Sequence, residues 1–245
     1  MTLAILFSLL GSVGAMAGSA LLLAFPDAMR QRLLPWLLSY ATGTLLGAAF
    51  LGMIPQGLKH AAPLAITGTV LAGLVGFFIL EKLVIWRHCH DADCEEHGHQ
   101  AGTLILLGDA FHNFVDGVVI AAAFLTSVPL GIATALAVIA HEIPQELGDF
   151  AILLHSGLSK SRAFVYNLLS SLTTLPGVII GWFWLAETRA AIPFVLAISA
   201  ASFIYIAVAD LVPSLHRHTA LKSSLIQVGL ILAGIATIAF FRIGH

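Results

Sequence analysis

The sequence predicts an all-α polytopic membrane protein with eight transmembrane helices in a single domain, residues 1–245. Two observations support this fold class. Hydrophobic residues make up 59% of the chain and charged residues only 10%, and the mean hydropathy is +0.97. A water-soluble domain of this composition would expose large apolar surfaces, whereas a lipid bilayer accommodates them. The second observation is that apolar segments of about 20 residues, the length that crosses a bilayer, recur along the chain.

The predicted transmembrane helices follow one another with short connections. They cover residues 3–25, 34–55, 63–86, 102–125, 128–157, 161–185, 190–213 and 221–242. No basic residue precedes the first segment, so we expect a retained helix rather than a cleaved signal peptide. One connection is distinct: residues 87–100 read R-H-C-H-D-A-D-C-E-E-H-G-H-Q, and we expect a polar loop there, outside the lipid.

The distribution of basic residues predicts the orientation in the membrane. Eight Lys and Arg residues lie in or beside the loops that follow the first, third, fifth and seventh helices, and three lie on the opposite side. Because basic residues are enriched in cytoplasmic loops, we expect these odd-numbered loops in the cytoplasm and both termini outside. The expected location is a bacterial-type cell (inner) membrane, with the lipid bilayer as partner and no nucleic acid.

The second and seventh helices resemble each other in sequence. Aligning Pro55 with Pro213 matches small residues with small ones and apolar residues with apolar ones. The predicted topology runs these segments in opposite directions and has each proline end its helix. We therefore predict a 3+2+3 arrangement, in which helices 1–3 and 6–8 form inverted repeats around helices 4 and 5.

The fourth and fifth helices carry polar residues near their midpoints. His112 and Asp116 are four residues apart in the fourth helix and share one face, as do His141 and Gln145 in the fifth. Successive helices joined by a short loop are antiparallel neighbours, so these side chains meet at similar depth. An uncompensated carboxylate at mid-membrane costs at least ~2.5–3.5 kcal/mol, and a divalent cation would neutralise the group. The sequence therefore predicts a metal path here.

Other residues of the fourth, fifth and seventh helices are further candidates for this path. Pro144 frees the carbonyl of Ala140 within the fifth helix, a device found at transporter substrate sites. For Asp109, a role beside the metal and a role in helix packing both fit. The candidates for an extended metal path are Asp109, Glu146, Asp149, His155 and Asp210. A purely structural polar pair is the alternative, and two His at matching depths on adjacent helices argue against it.

At H-N-F-V-D-G in the fourth helix and H-E-I-P-Q-E-L-G-D-F in the fifth, the chain resembles the ZIP (Zrt-, Irt-like protein) family of metal transporters. The resemblance implies import of divalent metal into the cytosol, usually Zn²⁺, with Fe²⁺, Mn²⁺, Cd²⁺ and Co²⁺ as further candidates. It also implies a two-metal site with Asp116 as the bridge. The implied ligands are His112, Asp116, His141 and Gln145 for one metal, and Asn113, Asp116 and Glu142 for the second.

The sequence departs from that family's pattern at two places. Gln145 stands where many relatives have His or Glu. The sixth helix lacks the Glu that some relatives supply and offers only Asn167, Ser170, Ser171, Thr173 and Thr174. The competing function is an intramembrane zinc-dependent hydrolase, because H-E-I-P-Q begins like the protease pattern H-E-x-x-H. The second His of that pattern is absent, so we expect a transporter and not an enzyme.

Two further predictions concern the third helix and the loop after it. Gly68, Ala72 and Gly76 form a small-residue ridge on the third helix that would allow a homodimer, and packing within one protomer is the alternative. We expect the cytoplasmic loop to bind metal loosely without being essential for transport. Its candidate ligands are His88, Cys89, His90, Cys94, His97 and His99.

Overall fold

The computed structural model describes residues 1–89, 97–217 and 220–243, and within these ranges all regular secondary structure is helical. The predicted all-α membrane protein is confirmed, because eight helices are long and apolar enough to cross a membrane. They are α1 (Thr2–Ala24), α2 (Asp27–His60), α3 (Pro63–Cys89), α4 (His97–Thr126), α5 (Val128–His155), α6 (Lys160–Glu187), α7 (Arg189–Leu215) and α8 (Leu221–Ile243).

Several helices extend past the apolar segments that predicted them. α2 begins at Asp27 rather than at residue 34, and α3 and α4 take up both ends of the polar segment 87–100. Hydropathy marks the part of a helix that suits lipid, while the backbone hydrogen bonds continue into polar sequence. His90 and Cys94 lie outside the described residues, as do the side chains of the other predicted loop ligands, so the loop site stays a prediction.

The expectation that Pro55 and Pro213 end their helices is wrong, because both helices continue past them. Each proline follows a wide π-helical turn, Ala48–Met53 in α2 and Ile206–Leu211 in α7. The α-helical hydrogen-bonding pattern restarts after the turn, and the proline occupies one of its first positions. A proline needs no N–H donor there, so the helix is preserved.

The two π-helical turns coincide residue for residue under the alignment of the two prolines. The same alignment places Gly43 opposite Ala201, and Gly73 opposite Ile231. In the structure a Cβ added at Gly43 would lie 2.1 Å from the Ile231 carbonyl oxygen, and one added at Gly73 would lie 2.7 Å from the Ala201 Cβ. The contact between α2 and α8 thus has its counterpart between α7 and α3. These matched contacts agree with the inverted repeat, and the 3+2+3 arrangement stays a prediction.

A break in α6 brings its hydroxyl groups to the centre of the bundle. The helix is interrupted at Leu172 and Thr173, because the ring of Pro176 meets the carbonyl of the residue four positions earlier. Beside the break, α6 touches α4 through two glycines. A Cβ at Gly117 would lie 2.1 Å from the Thr174 oxygen, and one at Gly177 would lie 2.1 Å from the Phe114 oxygen.

α4 and α5 lie against each other and against helices from both ends of the chain. α4 packs on α6, and α5 packs on α1 and α2. The core between them is built largely of alanine, including Ala121, Ala122, Ala123, Ala133 and Ala137. Such small side chains let the helix backbones approach closely, as is typical of membrane helix packing. The polar residues near the midpoints of α4 and α5 are therefore enclosed by protein rather than lipid.

Candidate metal centre

The two histidines of α4 and α5 face each other in the interior. The Nε2 atoms of His112 and His141 are 3.3 Å apart, and the rings meet edge to face. The Nδ1 of His141 lies 2.9 Å from the Ala137 carbonyl oxygen. If Nδ1–H donates to that oxygen, the lone pair of Nε2 is left free toward His112, which is the tautomer of a metal ligand.

Two carboxylates complete the group. Asp116 Oδ2 lies 3.4 Å from His141 Nε2 and 3.9 Å from His112 Nε2. Glu142 Oε1 lies 3.3 Å from His112 Nε2 and 3.4 Å from His141 Nε2. A tetrahedral zinc ion with ligands at about 2.0–2.2 Å separates those ligands by about 3.3–3.6 Å. The spacing of the four side chains, which we call the histidine cluster, therefore matches a zinc site.

The carboxylates of the histidine cluster are buried, and no lysine or arginine among the described residues pairs with them. Asp116 is 2% exposed and Glu142 1%. Within the described part of the chain, their only ion-pair partners are the two histidines, and Asp116 Oδ2 and both Glu142 oxygens have no hydrogen-bond partner. A buried charge without a partner is costly. A bound cation would supply the missing partner for all of these oxygens.

The two amides that the resemblance assigns as ligands both point to Asp109. The Nδ2 of Asn113 donates to Asp109 Oδ1 at 3.0 Å, and the Nε2 of Gln145 donates to the same oxygen at 3.3 Å. The amide oxygen of Asn113 accepts a hydrogen bond from Thr174 at 3.1 Å. The i, i+4 spacing of Asp109 and Asn113 permits the first of these bonds, whereas the bonds from Gln145 and Thr174 depend on how α5 and α6 pack against α4.

The residues predicted to extend the metal path lie in three different places in the structure. Asp109 and Glu146 gather with Glu142, and the carboxylate oxygens of this trio lie within 4.8 Å of one another. Asp149 and Asp210 line a cavity beside the histidines. His155 lies at the end of α5, where its exposed ring contacts the Ala151 carbonyl oxygen and does not join either group.

A cavity of about 910 Å³ connects the histidines with one end of the bundle. Its walls include His112 and His141 at depth and Ile105, Ile152 and Ser214 farther out. These outer residues lie near the start of α4 and the ends of α5 and α7. The cavity thus extends toward the end that carries the loops after α1, α3, α5 and α7.

Pro144 forms part of this cavity wall, and α5 continues through it from Val128 to His155. The carbonyl of Ile143, just before the proline, accepts a hydrogen bond from Ser19 of α1 at 2.8 Å. The polar backbone near the site is therefore held by protein rather than lipid, as membrane-embedded backbone requires.

Sequence reasoning missed Phe203 of α7. This side chain is fully buried, and its ring stands edge-on to His141 with centroids 5.9 Å apart. The sequence does not single out one phenylalanine in an apolar segment as a contact of a metal-site histidine. The contact packs an apolar ring against His141.

The chain is similar in sequence to known proteins. The family model described as "ZIP Zinc transporter" matches residues 87–242. Zinc transporter ZIP10 of Danio rerio is 43% identical over 46% of this chain and 13% of its own length. Zinc transporter zipt-7.2 of Caenorhabditis elegans is 32% identical over 83% of this chain and 57% of its own length. Zinc transporter ZIP13 of Pongo abelii is 32% identical over 84% of this chain and 66% of its own length.

The chain spans from about one eighth to two thirds of the length of these relatives. All three are animal proteins, so they give no support to the expectation of a bacterial-type membrane.

Proposed function

Because this chain belongs to the ZIP zinc transporter family, we propose that it carries divalent metal cations, zinc foremost, across a membrane into the cytosol. Members of the family are transporters, so the chain is not an enzyme. Its eight membrane-length helices make it a multi-span membrane protein. We propose the identity of the transported ion, its route through the protein and the direction of transport.

The observation that supports zinc most directly is the spacing of the histidine cluster. Two imidazole nitrogens and two carboxylate oxygens are separated mostly by 3.3–3.4 Å, as tetrahedral zinc requires. The same mixture of nitrogen and oxygen ligands also suits other first-row divalent ions. We therefore propose zinc as the preferred substrate and Fe²⁺, Mn²⁺, Co²⁺ and Cd²⁺ as competitors.

The proposed route leads from the histidine cluster through the cavity. Asp149 and Asp210 line this cavity and would attract a cation that leaves the cluster. The cavity extends toward the loops with the excess of basic residues, which we place in the cytoplasm. In this orientation both termini lie on the other side, and the ion leaves the cluster inward. The resemblance to the family also implies a second ion beside the first, which we retain as part of the proposal.

The test is metal uptake by the purified protein in proteoliposomes. We expect zinc uptake that the other divalent ions inhibit by competition, and we expect Asp116→Ala and His141→Ala each to reduce it severely. His155→Ala is the matched control, because His155 lies on the same helix as His141 but is exposed and outside both metal-binding groups. Near-normal uptake by a correctly inserted His141→Ala variant would refute a shared site on α4 and α5.

The same preparation separates transport from hydrolysis. A hydrolase would cleave a peptide or lipid substrate in a zinc-dependent manner without moving metal across the membrane. The structure offers no support for this alternative, because residue 145 is Gln and its amide is bonded to Asp109. We expect uptake without cleavage.

A further inference from the structure

Asp109 of α4 accepts hydrogen bonds from side chains of three helices. Its Oδ1 accepts one from Asn113 Nδ2 of the same helix at 3.0 Å and one from Gln145 Nε2 of α5 at 3.3 Å. Its Oδ2 accepts one from Ser170 Oγ of α6 at 2.6 Å. The Asp109 side chain is only 5% exposed. This carboxylate therefore joins α4, α5 and α6 at one buried point.

The partners on α4 and α6 fix the position of Asp109. Asn113 Nδ2 also lies 3.2 Å from the Asp109 backbone oxygen, and Asn113 Oδ1 accepts a hydrogen bond from Thr174 at 3.1 Å. Asn113, Ser170 and Thr174 are all buried. A buried polar network whose members are paired specifies one arrangement. Asp109 therefore presents its Oδ1 to Gln145 in a defined direction.

The Gln145 amide is bonded at its nitrogen only. Among the residues that the structure describes, no hydrogen bond reaches its oxygen, and the side chain lines the cavity that His112 and His141 also line. A carboxylate oxygen accepts hydrogen bonds, so the NH₂ side of the amide turns toward Asp109 and its oxygen turns away. Metal ions bind side-chain amides through the oxygen. The bond to Asp109 therefore selects the amide orientation that suits a metal ion.

We propose that Asp109 is a positioning residue, which holds the Gln145 amide so that its oxygen is available to a cation at the histidine cluster. Gln145 follows His141 by four residues and shares its face of α5, which places the amide beside the cluster. Without Asp109 the amide can rotate and present its nitrogen instead. This inference rests on the proposed function, because it takes the histidine cluster as the site of the transported ion.

A double-mutant cycle tests whether Asp109 acts through Gln145. Zinc affinity is measured in detergent, by competition with a fluorescent chelator, for the wild type, Asp109→Ala, Gln145→Ala and the double variant. We expect Asp109→Ala to weaken zinc binding about tenfold and to cause no further loss when it is added to Gln145→Ala. Losses that multiply in the double variant would overturn the positioning role, because Asp109 would then act independently of the amide. Glu187→Ala, at the exposed end of α6, is the control and should bind zinc like the wild type.

Two milder variants keep the test decisive if Asp109→Ala does not fold. Asp109→Asn retains an oxygen that can accept the Gln145 N–H, so it should bind zinc clearly more tightly than Gln145→Ala does. Ser170→Ala removes one partner of Asp109 and should weaken zinc binding only where Gln145 is present. Zinc binding by Asp109→Asn as weak as that of Gln145→Ala, or an equal effect of Ser170→Ala in both backgrounds, would contradict the proposal.

The visible absorption of bound Co²⁺ reports on the coordination itself, because it depends on the number and geometry of the ligands. Asp109→Ala and Gln145→Ala should change this spectrum in the same way, since each removes the amide oxygen from the ion. A residue that only supports the fold would leave the spectrum of the bound ion unchanged. A wild-type spectrum from either variant would therefore refute the positioning role.

Zinc uptake in proteoliposomes separates this inference from the proposed function. If the wild type takes up no zinc while the effect of Asp109→Ala on zinc binding depends on Gln145, the transport proposal is wrong and the positioning role stands. If uptake is intact while the two losses of affinity multiply, the positioning role alone is refuted.

Discussion

The four side chains of the histidine cluster come from two helices that lie against each other. His112 and Asp116 share a face of α4, and His141 and Glu142 are neighbours on α5. Their convergence required only that the two helices be adjacent and antiparallel. The partners of the two amides could not be predicted, because Asn113 and Gln145 have several possible acceptors and donors. The choice depends on how α4, α5 and α6 pack, since Asp109 of α4 accepts from both amides and hydroxyl groups of α6 bond to Asp109 and Asn113.

Gln145→His tests whether residue 145 reaches the metal. Gln145 lines the cavity beside the histidine cluster and bonds to Asp109. An imidazole is a better zinc ligand than an amide, so we expect zinc affinity to rise about tenfold and release to slow. Zinc titration and initial uptake rates measure the two effects, and replacement of the exposed Gln31 by His is the control. Unchanged affinity would place residue 145 outside the coordination sphere.

At the scale of elements, hydropathy located every helix but not its ends or irregularities. The apolar segments predicted where the chain crosses lipid, while α2 extends well beyond its segment in both directions. The prolines differ in their effect on helix continuity, depending on the surrounding structure. Pro55 and Pro213 follow π-helical turns and leave their helices intact, whereas Pro176 accompanies a break in α6. A proline in the sequence shows that a backbone donor is missing, and packing decides how the helix accommodates it.

Gly177→Ala should disrupt the junction of α4 and α6. The added Cβ would lie 2.1 Å from the Phe114 oxygen, so the helices must separate and the α6 hydroxyls must leave Asp109 and Asn113. We expect a loss of about 1–3 kcal/mol in stability, together with weaker zinc uptake. Thermal unfolding in detergent measures the first effect.

The matched control for this change is Gly229→Ala on α8, where an added Cβ meets no atom within 4 Å. It should unfold at the wild-type temperature. Equal behaviour of the two variants would show that the close approach of α4 and α6 does not limit stability.

At the scale of the whole molecule, composition predicted the membrane class, and the recurrence of apolar segments predicted the number of helices. The internal resemblance of α2 and α7 predicted more, since the exchanged contacts at Gly43 and Gly73 follow the same alignment. The sequence did not predict which helix surfaces face lipid. Only 11% of the most apolar stretch of α3 is buried, against 44% for α7, although the two stretches are similarly apolar. Helix arrangement, rather than hydropathy, sets this difference.

The small-residue ridge of α3 is exposed, which bears on the predicted homodimer. Gly68, Ala72 and Gly76 are exposed, and a Cβ at either glycine would meet no atom of the described chain within 4 Å. Packing within one protomer therefore does not explain the ridge. We expect Ala72→Cys, with Cys89 and Cys94 replaced by Ser, to form crosslinked dimers in native membranes.

Leu232→Cys in the same background is the control, because Leu232 is an exposed residue of α8 on a different surface. Crosslinking at both positions would indicate random collisions. Monomers alone at position 72 would contradict the dimer.

The glycine contacts between helices also determine which mutations the chain can survive. In a soluble protein the large buried side chains are the least replaceable, whereas here many of the large side chains face outward, such as Leu64 at 83% exposure. They can exchange with other apolar residues at little cost in lipid. Evolutionary constraint should instead concentrate on the smallest residues, Gly43, Gly117, Gly177 and Gly234, where an added methyl group would overlap a neighbouring backbone. A saturation-mutagenesis library selected for zinc-dependent growth should therefore be depleted most deeply at these glycines.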